Sequence, residues 1–557
     1  MSAHDAGFYA GFLETAQAAP DATAVVDGAH RLSFAQLADT GARLATGLER
    51  LGIGPGDAVA VWLPNRWEYL ALELAVARLD GLLVHLNPRY RTDEVHGIFA
   101  AARPKLLVYD AEFLDGRLGG ILATVRAEAP GVVPSHVAAI GDGGGGPATL
   151  GWGDLAAASG AAGSGGTADA AFAVFVTSGT TARPKLVVHP QRSVTLRTRA
   201  AGRGLGFGPG RTLLGVLPLC GVFGFDSVWA MLMAGGTVVL QPAFEPEAAL
   251  AAIRDRGVTD LVGSDTMFFR LLEVPGAAAA LQGLRFGAFA SFLGRSQELL
   301  AQYRDRVGIE LVQPYGSSEA QALLAAWRPE DPVELRAFGG GWVFNPATAV
   351  RCVDPDTRTP LPPDTVGELE VSGPELFREY LGQPEATRAA FTEDGWFRTG
   401  DLGYVRSDGS FVFLSRLKDS LRLGGFLVDP GEIEQHLMAL PGIRAAQVVG
   451  VEHPESGTVA VAFVQVDDPG RFDGEAARTA LAARIASYKV PRAVLPVDRF
   501  PLTAAGTNGE KIQKAELRRW ARDWLAAQEG GPGAGRDGPA ETARAAPAHG
   551  DPDGRPA

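Results

Sequence analysis

The sequence predicts an α/β protein built from a large N-terminal unit and a small C-terminal one. Strand-like and helix-like patterns alternate through its opening segments. From Thr348 the pattern changes to short strands separated by turns. After Arg416 a compact run repeats the α/β mixture on a smaller scale. Alternation of this kind lays helices against a largely parallel sheet.

Taken in order, Ser33 can cap the helical pattern "FAQLADTGARLATGLERLG", which stops at Gly52. "DAVAVWLP" is a strand closed by Pro64. "EYLALELAVARLDG" is a second helix, "GLLVHLNP" a second strand, and "KLLVYD" continues the sheet. From Gly141 to Gly166 the composition shifts to Gly, Ala and Ser, which predicts a flexible surface loop. The strand "AFAVFVT" follows, and further α/β units run to Leu324. "AVRCVDPDT", "GELEVSG" and "GSFVFLSR" are the strands of the turn-rich region. Beyond Arg416 come a helix from Pro430, the strands "AAQVVGV" and "TVAVAFVQV", and a helix from Gly474. The Gly, Pro and Ala of residues 528–557, with no aromatic among them, predict a disordered tail.

Composition narrows the function. The formal net charge is −13, so a basic surface for nucleic acid is not expected. An acidic chain can still bind an anionic nucleotide where a site supplies its own N–H donors and a cation. Cys220 and Cys352 have neither metal-ligand spacing nor the makings of a disulfide framework. The N-terminus lacks a secretory pattern, and the apolar run 71–86 is broken by Glu73, Arg78 and Asp80. A cytoplasmic protein without a membrane span is the expectation.

The most informative segment is "FVTSGTTARPKLVVHP" (175–190). A strand delivers the chain into Thr177, Ser178, Gly179, Thr180 and Thr181, and then Lys185. Glycine allows close backbone approach to an anion, the hydroxyls donate, and the lysine adds a point charge. This suits a polyphosphate, although a polar surface turn has the same composition. It is not a P-loop, because no Gly-Lys-Ser/Thr leads into a helix.

The segment resembles the phosphate loop of the adenylate-forming (AMP-binding) superfamily of acyl-CoA synthetases, adenylation domains and beetle luciferases. Ala182 and Leu186 replace usual glycines. Further matches follow in the family's order: "QPYGSSEA" (313–320), "DGWFRTGDLG" (394–403), "SRLKDSLRLGGFLVDPGEIE" (415–434) and "TNGEKIQKAELR" (507–518). The resemblance covers residues 8–525. It implies a large N-terminal adenylate-forming domain (1–417) with α/β subdomains and a distorted β-barrel. A small mobile C-terminal α/β domain (418–527) would follow, hinged near Lys418.

The resemblance also implies roles. Thr177, Ser178, Gly179, Thr180, Thr181 and Lys185 would hold the β- and γ-phosphates of ATP. Gln313, Tyr315, Gly316 and Ser318 would line the nucleotide, with Tyr315 stacked on adenine and Ser318 at the α-phosphate. Glu319 would ligate Mg²⁺, Asp401 and Arg416 would hold the ribose, and Lys511 would bridge the substrate carboxylate and the α-phosphate. After adenylation the loop with Gly424 and Gly425 would admit the thiol-bearing arm of CoA. Lys514 is expected to be solvated and His189 to make a structural hydrogen bond. "PLCGVFGF" places Cys220 and Gly221 where the family has bulkier residues, so the acyl pocket would be roomy. Cys220, Gly221, Val222, Phe223, Phe225, Ala290, Ser291 and Phe292 are its candidate lining, with no charge to meet an amino group. The implied activity is an AMP-forming ligation of a fatty or aromatic acid to CoA, requiring ATP and Mg²⁺. The alternative acceptor is a carrier protein, an amine or another small nucleophile of specialised metabolism. A homodimer is compatible with either.

Overall fold

The computed structural model describes residues 6–141, 148–157, 165–177, 185–423, 426–453, 457–485, 487–502 and 512–529. Its large N-terminal part is built on two extended sheets with helices between them. One sheet runs in the order 311–312, 286–290, 260–264, 212–215, 237–240, 23–27 and 30–33, parallel except for its last pair. The other centres on the parallel strands Ala58–Trp62, Leu82–His85, Leu106–Asp110 and His136–Ile140. Helices Phe34–Arg50, Trp67–Arg78 and Val222–Met233 contribute to one core shared by both sheets.

The predicted elements form for the expected reasons. Ser33 accepts from Gln36 N and its own N–H is met by the Gln36 side chain, a reciprocal cap of about 1 kcal/mol. Ala58–Trp62 is buried at every position, as a central parallel strand with both faces covered must be.

The Gly/Ala/Ser-rich stretch 141–166 departs from expectation. Leu150–Gly151 pairs in parallel with His136–Ile140, and Trp152–Ala156 is a short helix. The cause lies in two apolar side chains that composition averaged away. The Trp152 ring meets Trp67 edge to face at 6.0 Å, and Leu155 is buried against the helix bearing Gly47. Gly47 is required there, since a Cβ would lie 2.2 Å from the Leu155 carbonyl oxygen.

The third sheet is antiparallel throughout, in the order 314–317, 321–326, 339–343, 411–416, 397–405, 367–372 and 349–353. Four of these strands are the turn-separated ones expected from Thr348 onward, and 314–317, 321–326 and 339–343, which precede Thr348, join them in the place of the distorted barrel. Its core contains Tyr315, Leu324, Leu369, Val371 and Phe411. A turn at Leu417–Asp419, which carries the exposed Lys418, then leads into the small C-terminal part.

There the strands Ile443–His453, Gly457–Val466 and Ala493–Pro496 form a sheet between two layers. Helices Pro430–Met438 and Gly474–Ala482 cover one face. Helix Lys514–Glu529 covers the other with Leu517, Ala521 and Leu525, one apolar residue per turn. That helix carries regular structure two residues past the expected start of the tail at 528. No helix among the described residues is long and apolar enough to cross a membrane.

Candidate active site

The strand Ala171–Thr177 and its antiparallel neighbour Lys185–Pro190 form a hairpin in which Thr177 sits opposite Lys185. Ser178, Gly179, Thr180 and Thr181 lie outside the described residues. The hairpin brings both ends of their segment to one point and fixes Lys185 at its exit. The Lys185 Nζ lies over the Tyr380 ring, 4.3 Å from its centroid. Tyr380 belongs to Glu379–Tyr380, a two-residue strand on the free edge of this hairpin.

The segment 313–319 comes in beside it. Gly316 is dictated by close backbone approach, because a Cβ would lie 2.2 Å from the Gln321 carbonyl oxygen. The Gln313 side chain donates to the Ala337 carbonyl. Glu319 accepts the Tyr380 hydroxyl on Oε1 at 2.9 Å, and its carbonyl accepts from Phe377 N. Tyr380 thus touches both Lys185 and Glu319. Nothing in its local sequence spacing marks it as a site residue.

Tyr315 points its hydroxyl at Asp401, donating to Oδ2 at 2.6 Å. Its ring meets Phe411 edge to face and lies near Phe413, leaving it 5 % exposed. A nucleobase could stack on only a small part of that ring as it stands. Asp401 and Arg416 sit opposite each other on neighbouring strands, and their side chains approach to 2.9 Å. Asp401 is buried, and desolvation raises its pKa to about 6 although Arg416 and Tyr315 pull the other way. Glu319 also acts on Asp401, raising its pKa further, so the two carboxylates share one electrostatic neighbourhood.

Buried polar groups support this arrangement from behind. His189 Nε2 lies 2.7 Å from the Ser318 carbonyl oxygen. A carbonyl only accepts, so Nε2 carries a proton and donates it. Burial lowers its pKa to about 4. The expected structural role of His189 is therefore met. Arg197, not anticipated from sequence, donates to the carbonyls of Leu323 and Leu324 and pairs with Glu375 at 2.9 Å, both side chains 1 % exposed. Asp226 accepts from Ala322 N, and burial raises its pKa to about 7. Two helices thus grip the strand that begins just after Glu319.

Of the residues expected to line an acyl pocket, Gly221 precedes helix Val222–Met233 as its N-cap, and Cys220 and Phe223 are buried beside it. Burial pushes the Cys220 thiol up to about 12, which suits lining and not a nucleophile. Phe225 is core instead of pocket: its ring meets Phe175 at 5.3 Å and His85 at 5.6 Å. Ala290 ends a strand, and the loop that follows is pinned by Asp265, which accepts from Phe292 N, Leu293 N and the Ser291 hydroxyl. Asp265, like Tyr380 and Arg197, is a residue that spacing did not disclose.

A cleft of about 720 Å³ opens between the two parts of the chain. Ser291, Phe292 and Gln313 line it from one side, Asp429, Glu434 and Lys514 from the other. Lys514 is therefore not simply solvated. It lines this cleft with its Nζ 3.7 Å from Glu434. Gly424, Gly425 and Lys511 lie outside the described residues. Leu502 and Ile512, which flank the segment bearing Lys511, form an antiparallel bridge.

Among the described residues no group of three or more His, Cys, Asp or Glu side chains could cage a metal. A lone carboxylate such as Glu319 fits a hard cation held mainly by phosphates and water.

Comparison with known proteins agrees with this geometry. The family model "AMP-binding enzyme" matches residues 12–381, and "AMP-binding enzyme C-terminal domain" matches residues 432–507. A feruloyl-CoA synthase of Amycolatopsis sp is 33 % identical over 91 % of this chain and 97 % of its own. ATP-bound MatB from Rhodopseudomonas palustris superposes with a TM-score of 0.81 at 29 % identity, covering 93 % of this chain and 99 % of that one. The amide bond synthetase McbA from Marinactinospora thermotolerans superposes with a TM-score of 0.79 at 29 % identity, over 92 % and 99 %. The chain belongs to the AMP-binding, adenylate-forming family of enzymes.

Proposed function

We propose that this family member is an AMP-forming ligase that adenylates an aromatic carboxylic acid with ATP and passes the acyl group to the thiol of CoA. The observation that carries the reading is the convergence of Lys185, Glu319, Asp401 and Arg416 through Tyr380 and Tyr315. That set offers a cation for phosphate, a carboxylate for a hard metal and a buried carboxylate for paired hydroxyls. The uncharged segments that carry Cys220, Gly221, Phe223, Ala290 and Phe292 favour an apolar acid. Similarity to a feruloyl-CoA synthase favours an aromatic one over a fatty one.

In this reading Asp401 and Arg416 hold the ribose, and Lys185 with the residues from Thr177 to Thr181 holds the terminal phosphates. Gln313, Gly316 and Ser318 shape the nucleotide's path. Glu319 would hold Mg²⁺, which supplies charge neutralisation at the phosphates. Lys511 draws the carboxylate of the acid to the α-phosphate, an approach of two anions that only fixed positive charge makes favourable. Lys418 is the pivot between a domain of residues 1–417 and one of residues 418–527. Gly424 and Gly425 would admit the thiol arm to the adenylate.

Pyrophosphate release with Mg-ATP over cinnamic, benzoic, fatty and amino acids tests the reading, each with and without CoA. Release confined to aromatic acids, with acyl-CoA formed only when CoA is supplied, is expected. Release with any acid class but no thioester would replace CoA by another acceptor. The likeness to an amide bond synthetase makes an amine the second reading, and amide formation with supplied amines in place of thioester would establish it.

A further inference from the structure

Lys185 and Glu319 carry opposite charges on adjoining elements, yet no ion pair joins them among the described residues. Tyr380 lies against both. Its hydroxyl donates to Glu319 Oε1 at 2.9 Å, and its ring receives the Lys185 ammonium at 4.3 Å. A direct pair would neutralise both charges before any ligand arrived. A phenol instead gives the carboxylate a neutral donor and the ammonium a neutral face, at about 0.5–2 kcal/mol for the latter.

The backbone fixes this phenol from several sides. Glu379 and Tyr380 pair with Val188 and Val187 of the strand leaving the phosphate hairpin. Arg378 N donates to the Val188 carbonyl and Leu381 N to the Leu186 carbonyl, each at 2.8 Å. Phe377 N binds the carbonyl of Glu319 itself at 2.9 Å. The Tyr380 N–H donates to Thr387 Oγ1, and the ring packs on Phe377 at 4.8 Å, leaving the residue 3 % exposed. The two-residue edge strand therefore ties Glu319's backbone, Glu319's carboxylate and the exit of the phosphate hairpin into one unit.

We propose that Tyr380 is a positioning residue of the adenylation site: it aims the Glu319 carboxylate through its hydroxyl and the Lys185 ammonium through its ring, and keeps the two from pairing. This rests on the reading that the site binds metal-ATP. The test uses the full chain, Mn²⁺ as a paramagnetic probe, and α,β-methylene-ATP. Mn²⁺ binding is read by electron paramagnetic resonance, and nucleotide binding in EDTA by calorimetry. Tyr380→Phe keeps the ring and removes the hydroxyl. It should weaken Mn²⁺ binding by about 10-fold, the usual loss when a metal ligand's hydrogen-bond partner is removed. Its metal-free nucleotide affinity should stay within about 2-fold of the wild type. Tyr380→Leu removes both and should also weaken metal-free nucleotide binding, by about 5-fold. Wild-type Mn²⁺ affinity in Tyr380→Phe overturns the proposal. So does unchanged metal-free affinity in folded Tyr380→Leu. If Tyr380→Leu does not fold, Tyr380→Phe alone decides. Failure of the wild type to bind Mn²⁺ with the nucleotide overturns the reading of the site as well.

Discussion

Asp401→Asn separates what this carboxylate does for the fold from what it does for a ligand. Asp401 is 1 % exposed, and burial raises its pKa to about 6 from an ordinary 3.8. The shift is roughly 2 pH units, or about 3 kcal/mol at about 1.36 kcal/mol per unit. The folded chain binds this proton more tightly than the unfolded chain does. Its contribution is therefore lost as pH rises from about 4 to about 6, and stays lost above. At neutral pH the charged form thus opposes folding by up to about 3 kcal/mol, after the help from Arg416 and Tyr315 is included. Asparagine has no charge to desolvate. Asp401→Asn should melt no lower than the wild type at neutral pH, and any advantage should shrink as the pH falls toward about 4. Adenosine binding, measured by calorimetry, should move the other way. An amide offers one accepting oxygen and no charge, so loss of a charge-assisted hydrogen bond of about 1.5–3 kcal/mol weakens binding by roughly 10-fold or more. Adenosine carries no phosphate, so the pH dependence belongs to the protein. Wild-type affinity should fall below about pH 6, and the variant's should not. A variant that loses several kcal/mol of stability and binds adenosine normally would make Asp401 a structural partner of Arg416 and refute the assignment.

Arg197→Met should lower stability by about 3–5 kcal/mol in urea unfolding, because it strands the buried Glu375 charge and the Leu323 and Leu324 carbonyls. Adding Glu375→Gln should restore part of the loss; equal stabilities for single and double variants would deny the pairing. Burial pushes both Cys220 and Cys352 up to about 12, so the native chain near neutral pH should resist iodoacetamide by mass spectrometry, and rapid labelling of Cys220 would contradict its place beside the buried helix start. Gly47→Ala reads the segment 150–157 by the sign of its effect on melting temperature. A loose loop would let alanine stabilise the helix by up to about 1 kcal/mol, whereas the Leu155 carbonyl 2.2 Å from the new Cβ should make it destabilising by about 1–3 kcal/mol.

What sequence disclosed and what it hid divide along a physical line. Periodicity marked the helix from Phe34 and the strands from Ala58 onward because each has a continuous buried stripe. Gly316, Glu319, Asp401 and Arg416 were singled out by motifs that resemble the family's, and the fold brings Glu319, Asp401 and Arg416 into one electrostatic neighbourhood. Trp152 and Leu155 were hidden by averaging over glycine and alanine, although two large apolar side chains suffice to anchor a short segment. Tyr380, Arg197 and Asp265 were hidden for another reason. Each acts on residues distant in sequence: Tyr380 on a glutamate 61 positions away, Arg197 on a glutamate 178 away, Asp265 on a backbone N–H 27 away. A tyrosine on a two-residue strand has no period and no motif of its own. Its meaning comes from the antiparallel pairing that sets it between Lys185 and Glu319. The groups proposed to meet the ligand could be read one motif at a time, whereas the groups proposed to aim them follow from how the motifs are brought together.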